Sequence, residues 1–376
     1  MKKKNFLTII FLVLIFGIGS INLYSMTPII KEKLAQDNGY FFKLGGVLEE
    51  DYRVNFWNRR EWINLYGLFQ KILGREIIGN VEFAKTVNNN LDIVVGEGGG
   101  KNFADDLLKL KVFFDEKRIP LLYIQYPPRE AKDSKDPVQL FRLRDYYEDI
   151  NKYLKNQNIV YLGEDDILNK NFELNDFYFK TDIHPTTKAE IWMANKISEK
   201  LLQEFDIDIK NIISENDLCF EKHAHQFLGN FAQNVGEYYI GTDLFEEYIP
   251  KEPTYLKVKE IYGMWQREGD FEETVMNNYD QQDGNEIYTY WVTNYLMFGS
   301  KGYHIENMKN TEGPSLLIIC DSMCYRTVSY LSLGCKNITV LDPRFYQGSE
   351  DDVMKKVLLE KKYDAAIVLH GTQFVL

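Results

Sequence analysis

Residues 316–341 read LLIICDSMCYRTVSYLSLGCKNITVL. The first five are continuously apolar and too few for a helix. Asp321 and Ser322 follow at once, then a helix-like stretch over 324–333, then a second apolar run, NITVL at 337–341. Strands without polar alternation are buried on both faces, which is the pattern of a parallel sheet covered by helices on each side. AAIVL at 365–369 repeats the strand, after a helix-like 350–361. Upstream, PLLYIQYPP at 120–128 is a strand stopped by two prolines, and IVYL at 159–162 is another. Helices are expected at 58–75, 101–117 (Phe103, Leu107, Leu110 and Phe114 on one face), 139–156 and 187–202. Thr187 with Glu190 three residues on has the form of a capping box. The fold class is therefore α/β, a three-layer parallel sheet whose five strands are split two and three by a large insertion.

The chain divides into an apolar N-terminal segment (1–25), a stalk and helical segment (26–100), a first part of the core (101–206), a Tyr-rich insertion (207–313) and a second part of the core (314–376). The insertion reads as loop-rich and holds ten tyrosines with Trp265 and Trp291. Lys2, Lys3 and Lys4 precede an uncharged run from Phe6 to Ile21. Extended through Leu23, it reaches the roughly 17–25 residues of a membrane span, and its flanks suit an uncleaved anchor better than a cleaved signal. The basic end favours the cytoplasm, so the expectation is a membrane contact through residues 5–23 with the body outside. A cleaved signal would place the body outside as well.

The formal net charge is −12, and with the three leading lysines set aside the rest is more acidic still. Such a chain lacks the basic footprint of a nucleic-acid binder. Cys219, Cys320, Cys324 and Cys335 form no C-x-x-C and no zinc pattern, so free buried thiols are expected. His223 and His225 sit two apart, but no carboxylate cluster completes a metal site, and none is expected.

Ser322 at the carboxyl end of a parallel strand, opening a helix, is well placed to be a nucleophile, with backbone N–H groups nearby for an oxyanion. Serine needs a base, and histidine oriented by a carboxylate is the usual one. Thr181-Asp182-Ile183-His184-Pro185 supplies both, because a bent loop lets the Asp182 carboxylate reach His184. The competing reading makes Asp321 a helix cap and Asp182 a turn residue. Two more loops end strands: Asp342-Pro343-Arg344-Phe345-Tyr346-Gln347-Gly348 and His370-Gly371-Thr372-Gln373. Ligands bind at such loops in open α/β sheets.

Strand–Asp-Ser–helix, a Gly-containing loop after the next strand, the Gly-Thr of the third block and Asp-x-His before a helix resemble the blocks of SGNH hydrolases. Their order here is permuted, with the Asp/His block first. This arrangement is similar to the DHHW family and the alginate-acetyltransferase-like SGNH proteins, over about residues 50–376 and weakly at 207–313. The stretch DYRVNFWNRREWINLYGLFQKILG also looks like their N-terminal segment. The resemblance implies a bacterial, extracytoplasmic, membrane-anchored acyltransferase without a cofactor, O-acetylating a cell-surface or exported polysaccharide. Its acyl donor would be passed on by a membrane O-acyltransferase. It implies Ser322 as nucleophile, His184 as base and Asp182 as orienter, with Gln373, Arg344, Thr372 and Tyr346 around the oxyanion and substrate. Three positions depart from the pattern: Cys320 replaces the glycine before Asp-Ser, Pro185 follows the histidine, and Gln373 stands for asparagine. The same triad would serve a carbohydrate esterase, and the departures suit an inactive glycan-binding scaffold.

Overall fold

A strand that is apolar on both faces is stable only when both faces are covered, and the molecule meets that need with a three-layer core. The computed structural model describes residues 2–36, 55–78, 83–86, 89–93, 100–129, 143–169, 172–209, 218–220, 224–261, 263–276, 287, 295–296, 302–345 and 362–370. The helices are α1 (Lys2–Gln36), α2 (Arg59–Ile72), α3 (Lys101–Lys117), α4 (Leu143–Leu154), α5 (Glu164–Ile167), α6 (Leu174–Phe177), α7 (Thr187–Phe205), α8 (Asn230–Val235), α9 (Glu237–Ile240), α10 (Phe271–Val275) and α11 (Tyr325–Gly334). Three small antiparallel pieces are built from β1 (Ile77–Ile78), β2 (Phe83–Lys85) and β3 (Leu91–Ile93), from β6 (Leu218–Phe220) with β9 (Tyr248–Pro250), and from β7 (His225–Phe227) with β8 (Asp243–Phe245).

The central sheet comprises β4 (Leu121–Gln125), β5 (Val160–Leu162), β10 (Leu256–Glu260), β11 (Gln266–Gly269), β12 (Gly302–Asn307), β13 (Ser315–Cys320), β14 (Asn337–Leu341) and β15 (Ala365–His370). Its order is β11-β10-β12-β14-β13-β15-β4-β5. The run β14-β13-β15-β4-β5 is parallel, and its members are the five strands expected from the apolar runs. The other three, all from the 207–313 region, extend it antiparallel at the β14 edge. Residues of β13 alternate between the cover layers: Leu316 and Ile318 pack with the layer of α7 and α11, Leu317 and Ile319 with that of α3 and α4. The chain leaves β13 to form β14 on one side and later β15 on the other. A crevice opens where neighbouring connections diverge in this way, and Ser322 follows β13 at that point.

Two local readings are corrected. The first residue of α7 is capped by Thr186, whose hydroxyl accepts the Ala189 N–H at 3.2 Å, rather than by Thr187; Glu190 turns inward instead of closing a capping box. The 350–361 segment lies outside the described residues. At the N-terminus, α1 runs unbroken through residues 5–23 and on to Gln36. Among the described residues no helix is long and apolar enough to cross a membrane, so the structure does not support the expected span.

Candidate active site

The Asp182–His184 pair forms as the sequence suggested. The loop between α6 and α7 bends so that the Asp182 carboxylate meets both the backbone and the ring of His184. Oδ1 accepts the His184 N–H at 3.0 Å and Nδ1–H at 2.6 Å, while Oδ2 accepts the Asn230 N–H at 2.7 Å. Asp182 is fully buried and His184 is 5 % exposed. Burial pushes the Asp182 carboxyl up, but the His184 charge, the ring hydrogen bond and the two backbone N–H groups outweigh it and hold it below the usual carboxylate range. With Nδ1–H bonded to the carboxylate, Nε2 is left as the basic nitrogen.

Sequence reading missed what holds this loop. Arg129, fully buried just after Pro127-Pro128, donates Nη1 to the carbonyls of Asp182 (2.7 Å) and Ile183 (3.3 Å) and Nη2 to those of Leu91 (2.9 Å) and Phe179 (2.8 Å). Its guanidinium sits over the rings of Tyr178 and Phe231. From the insertion, Asp243 accepts the N–H groups of Lys180 (3.0 Å) and Thr181 (2.6 Å) and the Thr181 hydroxyl. Gly229 lies so close to the loop that a Cβ there would stand 2.4 Å from the Thr181 carbonyl oxygen. The insertion therefore clamps the Asp/His loop. No sequence signal marked Arg129, since an arginine after two prolines has the look of an exposed turn residue.

Ser322 opens a short 3₁₀ turn, Ser322–Cys324, directly after β13, and is half-buried. Asp321 is both a cap and part of the site. Its Oδ1 accepts the Met323 N–H at 2.9 Å, and its Oδ2 is buried without a hydrogen-bond partner. Burial pushes its pKa up to about 6; the charges of Arg344 and His184 draw it back, and Asp342 adds to the rise. Asp321 thus feels charged groups of two neighbouring loops, that of Asp342 and Arg344 and that of His184. A second network ties α7 to α11. Arg326 donates to the Pro185 carbonyl and lies 3.6 Å from Glu190, whose carboxylate also receives the Thr327 N–H at 3.1 Å. The Tyr126 hydroxyl stands between Glu190 (3.3 Å) and the Met323 carbonyl (3.2 Å). These bonds bring the His184 loop and the Ser322 turn to one end of the sheet. Arg344 is held by Asp342, with Nη2 at 2.6 Å and Nε at 2.9 Å, and Tyr325 donates to the same carboxylate at 2.9 Å. Tyr346, Thr372 and Gln373 lie outside the described residues.

The raised Asp321 pKa has a consequence for stability. A carboxyl that ionises near pH 6 when folded and near 3.8 when unfolded contributes fully below about pH 4, and that contribution is lost as pH rises through 6. About two pKa units correspond to about 3 kcal/mol. Urea unfolding of Asp321→Asn should show a flatter stability profile between pH 4 and 6 than the parent chain; identical slopes would contradict this assignment.

Free thiols were expected at Cys320 and Cys324, and the structure corrects this: the two form a disulfide across the Ser322 turn. Their spacing of four is not C-x-x-C, but the 3₁₀ turn brings the Cα atoms to 6.5 Å, within bridging range. Cys335 is a free, buried thiol. A loop this short restrains the unfolded chain by about 2 kcal/mol. Cys320→Ser with Cys324→Ser should lower the melting temperature, and reduction of the parent chain should reproduce the loss; a reductant that lowers the variant equally would rule out the bridge as its cause.

Beside these loops, a cavity of about 280 Å³ opens at the carboxyl ends of β4 and β5, lined by Gln125, Tyr126, Tyr147, Asn151, Tyr161 and Asp165 among others. Gln125 forms its floor, accepting from Asn151 (3.3 Å) and Tyr161. Burial chiefly, then the neighbouring Tyr178 and Tyr123, push the Tyr147 hydroxyl well up.

No protein-family model matches the sequence, and no curated protein matches it. Solved structures do. Bacillus cereus PatB1 superposes with a TM-score of 0.54 at 17 % identity, over 72 % of this chain and 88 % of that one. PatB1 with a sulfonyl adduct gives 0.55 at 15 %, over 76 % and 93 %. A DHHW family protein from Eubacterium siraeum gives 0.52 at 16 %, over 77 % and 92 %. The fold is SGNH-like. The resemblance read from the sequence blocks thus extends to the architecture, and at these identities it is a likeness of fold.

Proposed function

We propose that this chain is a serine-dependent acyltransferase that O-acetylates a polysaccharide. The observation that supports the reading is the buried Asp182–His184 hydrogen bond, whose loop is linked through Arg326 and the Pro185 carbonyl to α11, the helix that follows the Ser322 turn. In the proposed reaction His184 Nε2 takes the Ser322 proton as Oγ attacks the donor carbonyl carbon. The tetrahedral intermediate collapses, and the leaving group departs with the proton from His184. A sugar hydroxyl then attacks acyl-Ser322, giving its proton to His184, and collapse returns that proton to Oγ as the new ester leaves. The Ser322 N–H, with Gln373, would face the oxyanion. Arg344, engaged by Asp342, would act on the site through its charge on Asp321.

The acceptor would occupy the cavity at β4 and β5, where tyrosine faces and amide groups suit a sugar ring and its hydroxyls. Water as acceptor would make the same site an esterase. Removing the Tyr161 ring separates the two: Tyr161→Ala should raise the KM for an oligosaccharide acceptor about tenfold, the worth of one lost ring contact. Hydrolysis of a small acetyl ester should be unchanged. Equal loss in both assays would argue against an acceptor subsite there.

For the N-terminus we retain the sequence argument as a proposal: residues 5–23 anchor the chain, with the body on the outer face of the cell membrane and near a membrane O-acyltransferase as donor. Protease added to intact spheroplasts should then degrade the body, and full protection would reverse the orientation.

A further inference from the structure

Helix α2 is inside out. Its sequence, RREWINLYGLFQKI, has the apolar spacing that normally marks a core-facing stripe. In the structure the face turned to the protein is Asn64, Gly67 and Gln70. Specific contacts fix that orientation. Asn64 Oδ1 accepts the Glu237 N–H at 2.9 Å, capping the first turn of α9. At Gly67 the helix runs against the α8–α9 junction so closely that a Cβ would stand 2.2 Å from the Val235 carbonyl oxygen. Just beyond the helix, Tyr239 donates to the Arg75 carbonyl at 2.6 Å.

The opposite face carries Trp62, Leu65, Tyr66, Phe69, Ile72 and Leu73, spaced by three and four residues as one stripe. Phe69 is 55 % exposed, Ile72 69 % and Leu73 64 %. A contiguous apolar stripe on a water-facing helix marks a surface that something else covers. Three observations say what. Arg59, Arg60, Lys71 and Arg75 belong to this segment against Glu61 and Glu76, on a chain whose net charge is −12. This short stretch is thus a basic site on an acidic protein. Trp57 and Trp62 add the indole rings that settle at the headgroup level of bilayers. Finally, Asn22 Oδ1 accepts the Trp57 N–H at 2.6 Å, which ties the start of α2 to the apolar N-terminal helix α1.

We propose that α2 lies in the interface of an anionic bilayer, with the Trp62–Leu73 stripe at the headgroup–acyl boundary and Arg59 and Arg75, at the two ends of the segment, near lipid phosphates. Amphipathic helices of modest overall hydrophobicity with aromatic and basic residues bind membranes in this way. The contacts of Asn64 and Gly67 then fix the body relative to the membrane plane, which α1 alone would not do. The proposal makes no assumption about chemistry at Ser322, and it is separable from the anchor reading.

The test uses the full chain in phosphatidylcholine–phosphatidylglycerol vesicles, with and without acyl-brominated lipid. Vesicle flotation reads the anchor; quenching of tryptophan emission by the brominated chains reads α2. Quenching is expected in the parent chain, and Trp57→Phe with Trp62→Phe should remove at least half of it. Phe69→Glu with Ile72→Glu should also cut quenching at least twofold, while the melting temperature and small-ester hydrolysis stay unchanged because Phe69 is 55 % and Ile72 69 % exposed. A chain that floats but shows the same quenching with and without Trp57 and Trp62 overturns the interfacial helix and leaves the anchor standing. A chain that does not float overturns both. Absence of quenching together with cross-linking of Phe69→Cys to a second protein in native membranes would assign the stripe to a protein partner and reject lipid.

Discussion

The Ser322→Ala variant should lose acyl transfer and ester hydrolysis by a factor of about 10⁴ or more while remaining folded. The size follows from the proposed role: a nucleophile, its base and its orienter act as a unit, so removing one costs nearly as much as removing all. The fold should tolerate the change, because Ser322 is half-buried at the start of a 3₁₀ turn and the Met323 N–H is capped by Asp321 rather than by Ser322. A sulfonyl fluoride, which reacts with activated serine hydroxyls, is a suitable probe. Intact-mass spectrometry should show one adduct on the parent chain and none on Ser322→Ala. An adduct that persists in the variant would remove Ser322 from the mechanism. A parent chain that neither labels nor hydrolyses any small ester would instead favour the inactive, glycan-binding scaffold.

What could be read from the sequence, and what could not, follows from how locally each feature is determined. LLIIC, NITVL and AAIVL are apolar throughout because both faces of the inner strands are buried, so their pattern needs no partner to be legible. The antiparallel extension was not legible. Leu256, Val258 and Glu260 of β10 do alternate inward, but Glu260 is a buried carboxylate, and β11, Gln266–Gly269, contains no apolar residue. Such strands are recruited by the exposed edge of their neighbours, a tertiary effect that outweighs local propensity.

The site divides in the same way. Asp182 and His184 are two residues apart, so a single bent loop can join them and the pair could be read directly. The support for that loop comes from Arg129, Asn230 and Asp243, which lie 53, 48 and 62 positions from their partners. No spacing rule reaches so far. Helix α2 shows what a local pattern leaves open. Its periodicity correctly gave a helix, but periodicity cannot say which face turns inward, and here Gly67 permits a backbone approach that a larger residue would block.

Asp182→Asn should reduce kcat by about 10⁴ with the fold retained, and the geometry says why a change of one atom has that effect. Asp182 accepts from three N–H groups, two on His184 and one on Asn230. An asparagine offers one oxygen for them. If that oxygen stays with the Asn230 N–H, the amide NH₂ faces His184 Nδ1 and also opposes the His184 backbone N–H, which loses its acceptor. The ring must then carry its proton on Nε2 and can no longer accept one from Ser322. If the amide is flipped, the NH₂ opposes the Asn230 N–H, and a buried donor is left unsatisfied at a cost of about 1–3 kcal/mol. Either arrangement also removes the charge that stabilises an imidazolium during attack. The pH dependence gives an independent check. The depressed Asp182 pKa means that its ion pair stabilises the parent chain above the ordinary carboxylate range, and that this stability is lost as pH falls through the folded value. The variant should lack that acid-side loss, seen in urea unfolding between pH 2 and 5. Asp243→Asn is the contrast: it weakens support for Lys180 and Thr181 but leaves the carboxylate–imidazole bond in place, so its loss of kcat should be far smaller. Equal losses in the two variants would mean that Asp182 serves only to shape the loop.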